Sequence, residues 1–429
     1  MKSPSVPNAE TAPLKESVGP VKVSARRCIW LLLPVGVISA AIVGLHVAAR
    51  PEPTTHHVTQ AIVAGQVPVR GVNLGGWLVA EQWMNPKADI WKNLTGVKAT
   101  WTEIDAAAAY AAAGPSIKSH QAAVFEAHRS TWITEEDIKA IAAANFNTIR
   151  IPVGYWIGGA DTNADTKSSL WSTFAPGSLK YLDKAVNEWG PTYNLSVLVD
   201  IYGTMNGSTW PDPGDTKVPI ATYNTTFNTT SFLAARYHDK PAFLGIGLLS
   251  TPDDTAHFRS LLFYYMDGYR VVRKTSPSMI VTTCPSKSFQ YPGNPSAVMS
   301  EDRTFMNFLI DPDLPDTIKH AWMEWQLHPG SDAAFGNGSL DAGVANWTSR
   351  FSTWKSHEPL FLGSWNINSG ATSSGVVSVA QKQEAATKIG AIANLAPKGW
   401  VYNNWKADDS VRGWGWSLQN VLKDGVKLP

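Results

Sequence analysis

The chain has 429 residues, of which 44% are hydrophobic and 17% are charged. This length and composition indicate a globular protein with a substantial core. The formal net charge is +1 and long runs of like charge are absent from the sequence, so there is no electrostatic reason to expect a nucleic-acid partner. The cysteines Cys28 and Cys284 are too few for a disulfide framework, and packing must therefore hold the fold together.

An apolar segment spans residues 28–49, with Ser39 and His46 as its polar members. Its roughly 22 residues suffice to cross a bilayer as a helix. Lysine and arginine are more frequent before the segment than directly after it. This asymmetry predicts a single-pass type II membrane protein with a cytoplasmic tail at residues 1–27 and the remainder outside the cell or in the secretory lumen. The small residues Val47-Ala48-Ala49 leave a cleaved signal peptide as an alternative, and Cys28 is a candidate for palmitoylation.

Residues 50–66 are rich in Pro, Thr and His and show no sustained periodicity. We expect them to form a stalk between the membrane and the outer domain. The adjacent His56 and His57 are typical of a solvated linker, and the sequence gives no reason to expect a metal or another cofactor.

Asn-x-Ser/Thr sequons occur only after the apolar segment, as expected for a glycoprotein domain in the secretory lumen. The candidate glycosylation sites are Asn93, Asn206, Asn224, Asn228, Asn337 and Asn346. A further sequon begins at Asn194, directly before a predicted strand. The distribution supports the predicted topology without identifying which asparagines carry a glycan.

Short apolar segments alternate with amphipathic helical patterns from residue 67 to the C-terminus, which is typical of βαβ units and a parallel sheet. The eight strand candidates are Val69–Leu74, Asn147–Val153, Ser196–Tyr202, Phe243–Ser250, Met279–Thr283, Ile318–Gln326, Pro359–Gly363 and Gly399–Lys406. Helical patterns include Thr134–Asn145, Ser178–Gly190, Asp254–Thr275 and Val379–Ala396. This alternation predicts an α/β fold, a (β/α)8 TIM barrel with long loops over residues 67–429, preceded by the one transmembrane helix.

Three segments carry a resemblance to a known family. Residues 70–81, Arg-Gly-Val-Asn-Leu-Gly-Gly-Trp-Leu-Val-Ala-Glu, resemble the first strand and the following loop of the fungal exo-β-1,3-glucanases in glycoside hydrolase family 5. Residues 149–156 resemble that family's second strand. Residues 399–406, with the closing segment 416–429, resemble its eighth strand and C-terminus. The similarity covers nearly all of residues 67–429.

The resemblance implies a chemistry that depends on two carboxylates. Members of the family hydrolyse β-glucosidic bonds with retention: one carboxylic acid protonates the leaving oxygen, and a second carboxylate about 5–5.5 Å away attacks the anomeric carbon. In the family the acid follows an Asn at the end of the fourth strand, and the nucleophile ends the seventh strand.

Neither carboxylate is present at the matching positions of this chain. Ser250 and Thr251 stand where the family has its Asn and its acidic Glu, and Ser364 stands where the nucleophilic Glu would be. The flanking Pro252 and Trp365 hold the register. A hydroxyl cannot act as an acid near neutral pH, and no nearby sequence cue indicates a base that would activate either hydroxyl. The resemblance therefore implies a pseudoenzyme without catalytic residues.

The neighbouring family positions have changed as well. Tyr202 replaces an active-site His, and Asn403 falls where a Trp forms the floor of the glucose site. On strand six, Met323 and Trp325 fall where a His and a Tyr position the sugar and the nucleophile. Arg150 matches the family residue.

Other groups remain available to bind sugar, because aromatic faces pack well against pyranose rings. Glu81 matches a family carboxylate that hydrogen-bonds the terminal glucose. The expected substrate-binding residues are Glu81, Arg150, Trp77, Trp83, Tyr155, Trp156, Tyr202, Ser250, Trp325 and Asn403. Tryptophans in a barrel also fill the helix–sheet interface, and Arg150 is equally suited to a structural ion pair.

Three functions follow from these observations. The first is a membrane-anchored, non-catalytic relative of β-1,3-glucanases that binds or senses β-glucan or scaffolds at the cell wall. The second is an active hydrolase in cell-wall polysaccharide metabolism that uses other carboxylates, with Glu324 as the fallback candidate beside Asp200, Asp253 and Asp254. The third is a pure interaction ectodomain with an unidentified protein partner.

Overall fold

Eight parallel strands close into a barrel in which each strand pairs with the next and the last pairs with the first. The strands are β1 Val69–Asn73, β2 Thr148–Gly154, β3 Ser196–Gly203, β4 Phe243–Gly247, β5 Ile280–Thr283, β6 Ala321–Leu327, β7 Leu360–Trp365 and β8 Gly399–Tyr402. The computed structural model describes residues 57–158, 172–203, 219–252, 258–285, 320–331, 340–354, 359–368 and 377–429. Nearly every strand residue is buried, as expected for a parallel sheet that is covered on both faces.

Most helices lie between the strands and form the outer layer, and one short helix precedes the first strand. They are Val58–Val63, Glu103–Ala112, Pro115–Lys118, Gln121–Trp132, Glu135–Ala143, Leu179–Lys184, Gly190–Tyr193, Pro219–Tyr237, Phe258–Thr275, Leu340–Trp354, Val379–Ala393, Asp409–Arg412 and Leu418–Lys423. A π-helical turn at Ala185–Trp189 joins two of them, and short 3-10 turns lie at Asp89–Trp91 and Pro329–Ser331.

The predicted α/β barrel is confirmed, and the element bounds agree to within a few residues. The helix that begins after Thr134 shows how local sequence sets such a boundary. Thr134 and Asp137 form a capping box, in which the Thr134 backbone N–H donates to Asp137 Oδ2 at 2.8 Å. This arrangement satisfies backbone donors that the first turn of a helix leaves unpaired.

Inward-facing side chains fill the barrel in layers, as the alternation of a strand requires. The lowest layer is apolar and consists of Val69, Leu198, Leu244, Ile280, Trp322, Phe361 and Val401. Above it lie buried polar groups of β2, β3, β5 and β6. The uppermost inward positions open into a cavity at the carboxyl ends of the strands.

The short helix Val58–Val63 closes the bottom of the barrel and corrects the predicted stalk. Ile62 is 2% exposed and packs against the lowest apolar layer. The Val58 N–H donates to Asn194 Oδ1 at 2.8 Å, and His57 Nε2 lies 3.1 Å from the Gly190 carbonyl oxygen. Residues 57–66 are therefore part of the folded domain, because burial of one apolar face and two helix-end hydrogen bonds stabilise them. His57 is a structural residue, whereas His56 lies outside the described residues.

The chain divides into the units Met1–Thr54 and Thr55–Pro429, and the barrel belongs to the second unit. Within the described ranges, no helix combines the length and apolar character that crossing a bilayer requires. The predicted transmembrane segment at residues 28–49, with Cys28, lies outside those ranges.

Candidate functional site

A cavity of about 470 Å³ opens at the carboxyl ends of the strands. Polar side chains from seven of the eight strand ends or the loops that follow them meet there, since parallel strands of a barrel converge at this face. The predicted residues that line the cavity are Glu81, Trp83, Arg150, Tyr202, Ser250, Thr251, Ser364 and Asn403. Further side chains on its wall include Asn73, Thr102, Gln326, His328, Asn404, Arg412 and Trp416.

Glu81 is the one carboxylate among the described residues that line this cavity. Its Oε2 accepts hydrogen bonds from Trp83 Nε1 at 2.9 Å and from the Tyr202 hydroxyl at 3.1 Å. Burial raises the pKa of Glu81 above its usual value, and these two hydrogen bonds oppose the rise. The Glu81 carboxylate and burial together hold the pKa of Tyr202 well above its usual range. Tyr202 therefore remains a hydrogen-bond donor at physiological pH.

The loop after β1 is fixed by a buried ion pair that places Glu81. Arg129 Nη2 lies 2.8 Å from Glu103 Oε1, and both side chains are almost fully buried. The other oxygen of Glu103 accepts the Ala80 backbone N–H at 3.1 Å. Because this bond holds the residue directly before Glu81, the ion pair sets where the Glu81 carboxylate enters the cavity.

Arg412 covers part of the aromatic surface in the cavity. Its guanidinium lies 3.9 Å from the centre of the Trp83 ring and 5.5 Å from that of Trp416. The two tryptophans meet edge to face at 5.4 Å. A guanidinium over a tryptophan face is a favourable cation–π contact, so a pyranose ring has to displace Arg412 to stack on that face of Trp83.

Arg150 holds together a buried charge cluster beneath the cavity. Its Nη2 lies 2.5 Å from Glu324 Oε1 and 2.8 Å from Asp200 Oδ1, and its Nη1 donates to Asn73 Oδ1 at 3.1 Å. Glu324 Oε2 also accepts from the Thr282 hydroxyl at 2.7 Å. Burial and the neighbouring Glu324 raise the pKa of Asp200 to about 7, although Arg150 acts in the opposite direction. Two carboxylates thus share one guanidinium in a medium that penalises the excess negative charge.

Gly363 provides the space that this cluster needs. A Cβ at this position of β7 would lie 2.1 Å from Glu324 Oε1, and real side chains do not approach so closely. The glycine directly before Ser364 is therefore explained by the buried carboxylate beside it.

Ser364 lies in a hydrogen-bonded group with His328 and Asn403. His328 Nε2 is 2.9 Å from Ser364 Oγ, and Asn403 Nδ2 lies 2.8 Å from that Oγ and 3.1 Å from His328 Nε2. The sequence near Ser364 carries no cue for a base, and the structure brings a histidine from another strand beside it. His328 follows β6 directly, and the pairing of Gln326 with Ser364 brings it there.

Thr251 lines the cavity in a strained backbone conformation. Its φ is 42°, in the left-handed region that β-branched residues rarely adopt. A backbone hydrogen bond joins Thr251 to the thiol of Cys284, a buried group whose pKa is raised by burial. Ser250, the residue before it, is 5% exposed and also faces the cavity.

Four aromatic residues expected to bind sugar lie outside the cavity. Trp77 is fully buried against Trp189, with ring centres 5.9 Å apart, and its Nε1 donates to a backbone carbonyl. Trp156 stacks on Phe174 at 4.2 Å and meets the ring of Tyr155 edge to face. These rings pack between the barrel and its outer elements, which is the usual role of large aromatic residues in a core.

Trp325 is the fourth of these residues, and strand alternation explains the error. It packs against Trp347 and Phe351 on the helix side of β6, and Met323 faces the same way. Glu324 faces inward but is 1% exposed and is held by Arg150, below the cavity wall. The fallback candidate for catalysis is therefore a buried ion-pair residue.

The described sequons lie at the surface. Asn93, Asn224, Asn228 and Asn346 are all exposed. Asn224 and Asn228 are one turn apart on the helix Pro219–Tyr237, so their side chains project from the same face. Asn206 and Asn337 lie outside the described residues, as do the alternative carboxylates Asp253 and Asp254.

Sequence reasoning missed His328, Arg412 and Trp416 as cavity residues. His328 had one available signal: it lies two residues after the inward-facing Gln326, so strand alternation continues to the cavity. Arg412 and Trp416 come from the region after β8, where neither hydrophobic periodicity nor composition indicates which way a side chain points. Their positions depend on tertiary packing that a local pattern does not encode.

Comparison with known proteins identifies relatives of this chain that are named as glycoside hydrolases. The family model "Cellulase (glycosyl hydrolase family 5)" matches residues 110–409. The chain is 28% identical to the "Probable glucan 1,3-beta-glucosidase A" of Neosartorya fischeri, over 83% of this chain and 86% of that protein. It is 23% identical to the "Probable glucan endo-1,6-beta-glucosidase B" of Aspergillus fumigatus, over 89% and 94% of the two chains.

A solved structure shows the same fold. The rutinosidase from Aspergillus niger superposes with a TM-score of 0.61 at 17% identity, covering 84% of this chain and 98% of that one. The family match extends over more than half of the sequence and includes two of the segments that suggested the resemblance, residues 149–156 and 399–406. The chain belongs to glycoside hydrolase family 5.

Proposed function

We propose that the cavity binds a β-glucan chain end or a related oligosaccharide and does not hydrolyse its glycosidic bonds. One observation carries this proposal: within the described part of the chain, the cavity wall contains a single carboxylate, Glu81. Retaining hydrolysis needs two carboxyl groups about 5–5.5 Å apart. Thr251 and Ser364, which occupy the family's catalytic positions in the sequence resemblance, line the cavity and have hydroxyl groups in place of carboxylates.

The identity of the ligand is supported by the relatives and by the polarity of the wall. The curated relatives are named for glucan 1,3-β- and endo-1,6-β-glucosidase activities. The cavity volume of about 470 Å³ falls within the range of small-molecule sites. Its amide, hydroxyl and carboxylate groups are suited to sugar hydroxyls, which both donate and accept hydrogen bonds.

The alternative of an active hydrolase receives less support from the geometry. Glu324 and Asp200 are both buried around Arg150, and neither reaches the cavity wall. Using either one would leave a buried guanidinium with an incomplete set of partners, which is costly. The open polar cavity likewise favours a glycan ligand over a pure interaction ectodomain with a closed cleft.

We also propose that residues 28–49 anchor the protein as a single-pass type II membrane protein at the cell surface or along the secretory route. The apolar length and the excess of basic residues before it support this arrangement. The exposed sequons Asn93, Asn224, Asn228 and Asn346 are accessible to glycosylation. If deglycosylation leaves the mobility of the protein on a gel unchanged, the predicted topology is contradicted. If carbonate extracts all of the protein from membranes without detergent, the membrane anchor is contradicted.

Binding is tested by calorimetric titration of the detergent-solubilised full chain with laminari-oligosaccharides. We expect Glu81→Gln to weaken binding about tenfold or more, since a hydrogen bond to a charged group contributes about 1.5–3 kcal/mol and 1.4 kcal/mol corresponds to about tenfold. Glu126→Gln is a matched control, because Glu126 Oε1 also accepts a tyrosine hydroxyl, from Tyr181 at 2.8 Å, but lies outside the cavity. Wild-type protein without binding, or equal affinities for both variants and wild type, would refute the proposed site.

A further inference from the structure

The hydrogen-bond contacts around Ser364 indicate how its hydroxyl group is oriented. Asn404 Nδ2 donates to Asn403 Oδ1 at 2.5 Å, so the amide nitrogen of Asn403 faces Ser364 and His328. An amide nitrogen donates and does not accept. Asn403 Nδ2 lies 2.8 Å from Ser364 Oγ and 3.1 Å from His328 Nε2, and the shorter contact makes Oγ an acceptor.

This arrangement directs the Ser364 hydroxyl proton to the imidazole. Because Oγ accepts from Asn403, its own hydrogen is left for His328 Nε2 at 2.9 Å. In the neutral tautomer that carries its hydrogen on Nδ1, Nε2 accepts this proton. The ring is packed against Trp416, with centres 5.5 Å apart. A serine that donates to an unprotonated, positioned imidazole is the ground state of a nucleophile activated by a general base.

Both side chains have access to a ligand. Ser364 and His328 line the same cavity as Glu81, although Ser364 as a whole is 4% exposed. A hydrogen bond with only a structural role does not have to lie at the wall of a cavity. The pair instead faces the space in which the proposed glycan would lie.

We propose that Ser364 and His328 hydrolyse a short acyl ester carried by a carbohydrate. Ser364 Oγ attacks the ester carbonyl carbon while its proton passes to His328 Nε2. The carbon–oxygen bond to the sugar breaks, and the proton moves from Nε2 to the departing sugar hydroxyl. Water, deprotonated by Nε2, then attacks the acyl-serine, releases the carboxylic acid and restores the Ser364 hydroxyl. No oxidant or other co-reactant is required.

Ester chemistry suits these groups better than glycoside chemistry. Cleavage of a glycosidic bond requires a carboxylic acid to protonate the leaving oxygen and a carboxylate to stabilise the sugar cation. Attack on an ester needs a nucleophile, a base and hydrogen-bond donors near the developing oxyanion. Ser364 and His328 supply the nucleophile and the base, and the Asn403 amide, which contacts the attacking Oγ, helps to hold that oxygen in place. The carbohydrate part of the substrate rests on the proposed glycan-binding function, whereas the reactivity of Ser364 does not.

The first test is labelling of the detergent-solubilised full chain with a fluorophosphonate probe. We expect modification of the peptide that contains Ser364, and loss of labelling in Ser364→Ala. His328→Gln should label about 10²-fold more slowly, as expected when a general base is removed. Ser119→Ala is a matched control: Ser119 Oγ lies 3.3 Å from His120 Nδ1 at an exposed site, so labelling should remain unchanged.

Two further measurements guard against variants that fail to fold. The labelling rate of the wild type should fall on acidification along a single histidine-like titration, and p-nitrophenyl acetate should be turned over with the same profile. Absence of labelling in the wild type, or labelling that persists in Ser364→Ala, would overturn the proposal. If laminari-oligosaccharides bind the same preparation while no labelling occurs, the esterase proposal alone is refuted. Labelling without such binding would instead refute the proposed glycan ligand.

Discussion

Thr251 combines a β-branched side chain with a left-handed backbone at the cavity wall. The φ of 42° brings Cβ close to the backbone, and the hydrogen bond to the Cys284 thiol helps to hold it there. Such residues cost of order 1–3 kcal/mol and persist where surrounding structure enforces them. The strain lies at the position where the family resemblance places the catalytic acid.

Replacing Thr251 by a residue that tolerates positive φ should stabilise the protein. We expect Thr251→Asn to raise the free energy of unfolding by about 1 kcal/mol, because asparagine adopts the left-handed region more readily. Chemical denaturation of the full chain provides the measurement. Thr251→Val, which keeps the β-branch, is the control and should show no such gain. A stability of Thr251→Asn at or below that of Thr251→Val would show that strain is absent.

For single residues, the sequence predicted the positions of polar and charged cavity residues better than those of aromatic side chains. Glu81 and Ser364 lie in the cavity because they follow a strand or lie at its end, and all strand ends of a barrel converge. Trp77 and Trp156 do not, because residue type alone cannot distinguish a ring that packs under helices from one that meets a ligand.

Strands β2, β3 and β6 each contribute one charged residue to the cluster inside the barrel. Arg150, Asp200 and Glu324 contain one positive and two potentially negative groups. The folded state therefore favours a proton on Asp200, whose pKa rises from 3.8 to about 7. Between these pH values the native state binds more protons than the unfolded chain, so this group makes stability fall as pH rises. Below the window both states are protonated, and above it both are ionised.

We expect the melting temperature to rise on acidification from about pH 7, by the contribution of Asp200. Asp200→Asn should flatten this dependence and raise stability at neutral pH, because the amide removes the excess negative charge while it keeps the shape. Calorimetry or thermal fluorescence over the window measures both effects. Asp424→Asn alters an exposed carboxylate paired with Lys382 and should leave the slope unchanged. An identical slope in Asp200→Asn would exclude the proposed protonation.

The sixth strand shows how far a pattern within one element could be used. Gln326 faces the cavity, and alternation then turns Met323 and Trp325 toward the helices and Glu324 into the barrel. The alternation of the strand indicates these directions, whereas the family resemblance assigned Met323 and Trp325 to the sugar site. The His328–Ser364 contact was beyond local prediction, because it depends on the register between β6 and β7.

For the whole molecule, the number and spacing of strands were sufficient to predict a closed eight-stranded barrel. The contents of the cavity were only partly predictable, since loops after β1 and β8 supply Trp83, Arg412 and Trp416. The folded domain begins before residue 67, where the sequence predicted its start, because it includes the helix Val58–Val63. A six-residue helix is too short to show a clear period, and tertiary packing stabilises it.

The central claim is that this family 5 barrel retains a ligand cavity without glycosidase chemistry. Prolonged incubation of laminaripentaose with the detergent-solubilised full chain, followed by mass spectrometry of the oligosaccharides, tests it most directly. The account predicts that the pentasaccharide remains intact from acidic to neutral pH while binding is retained. Release of glucose and shorter oligosaccharides above a protein-free blank would contradict it, and loss of that release in a Glu324→Gln variant with wild-type melting temperature would favour the alternative hydrolase.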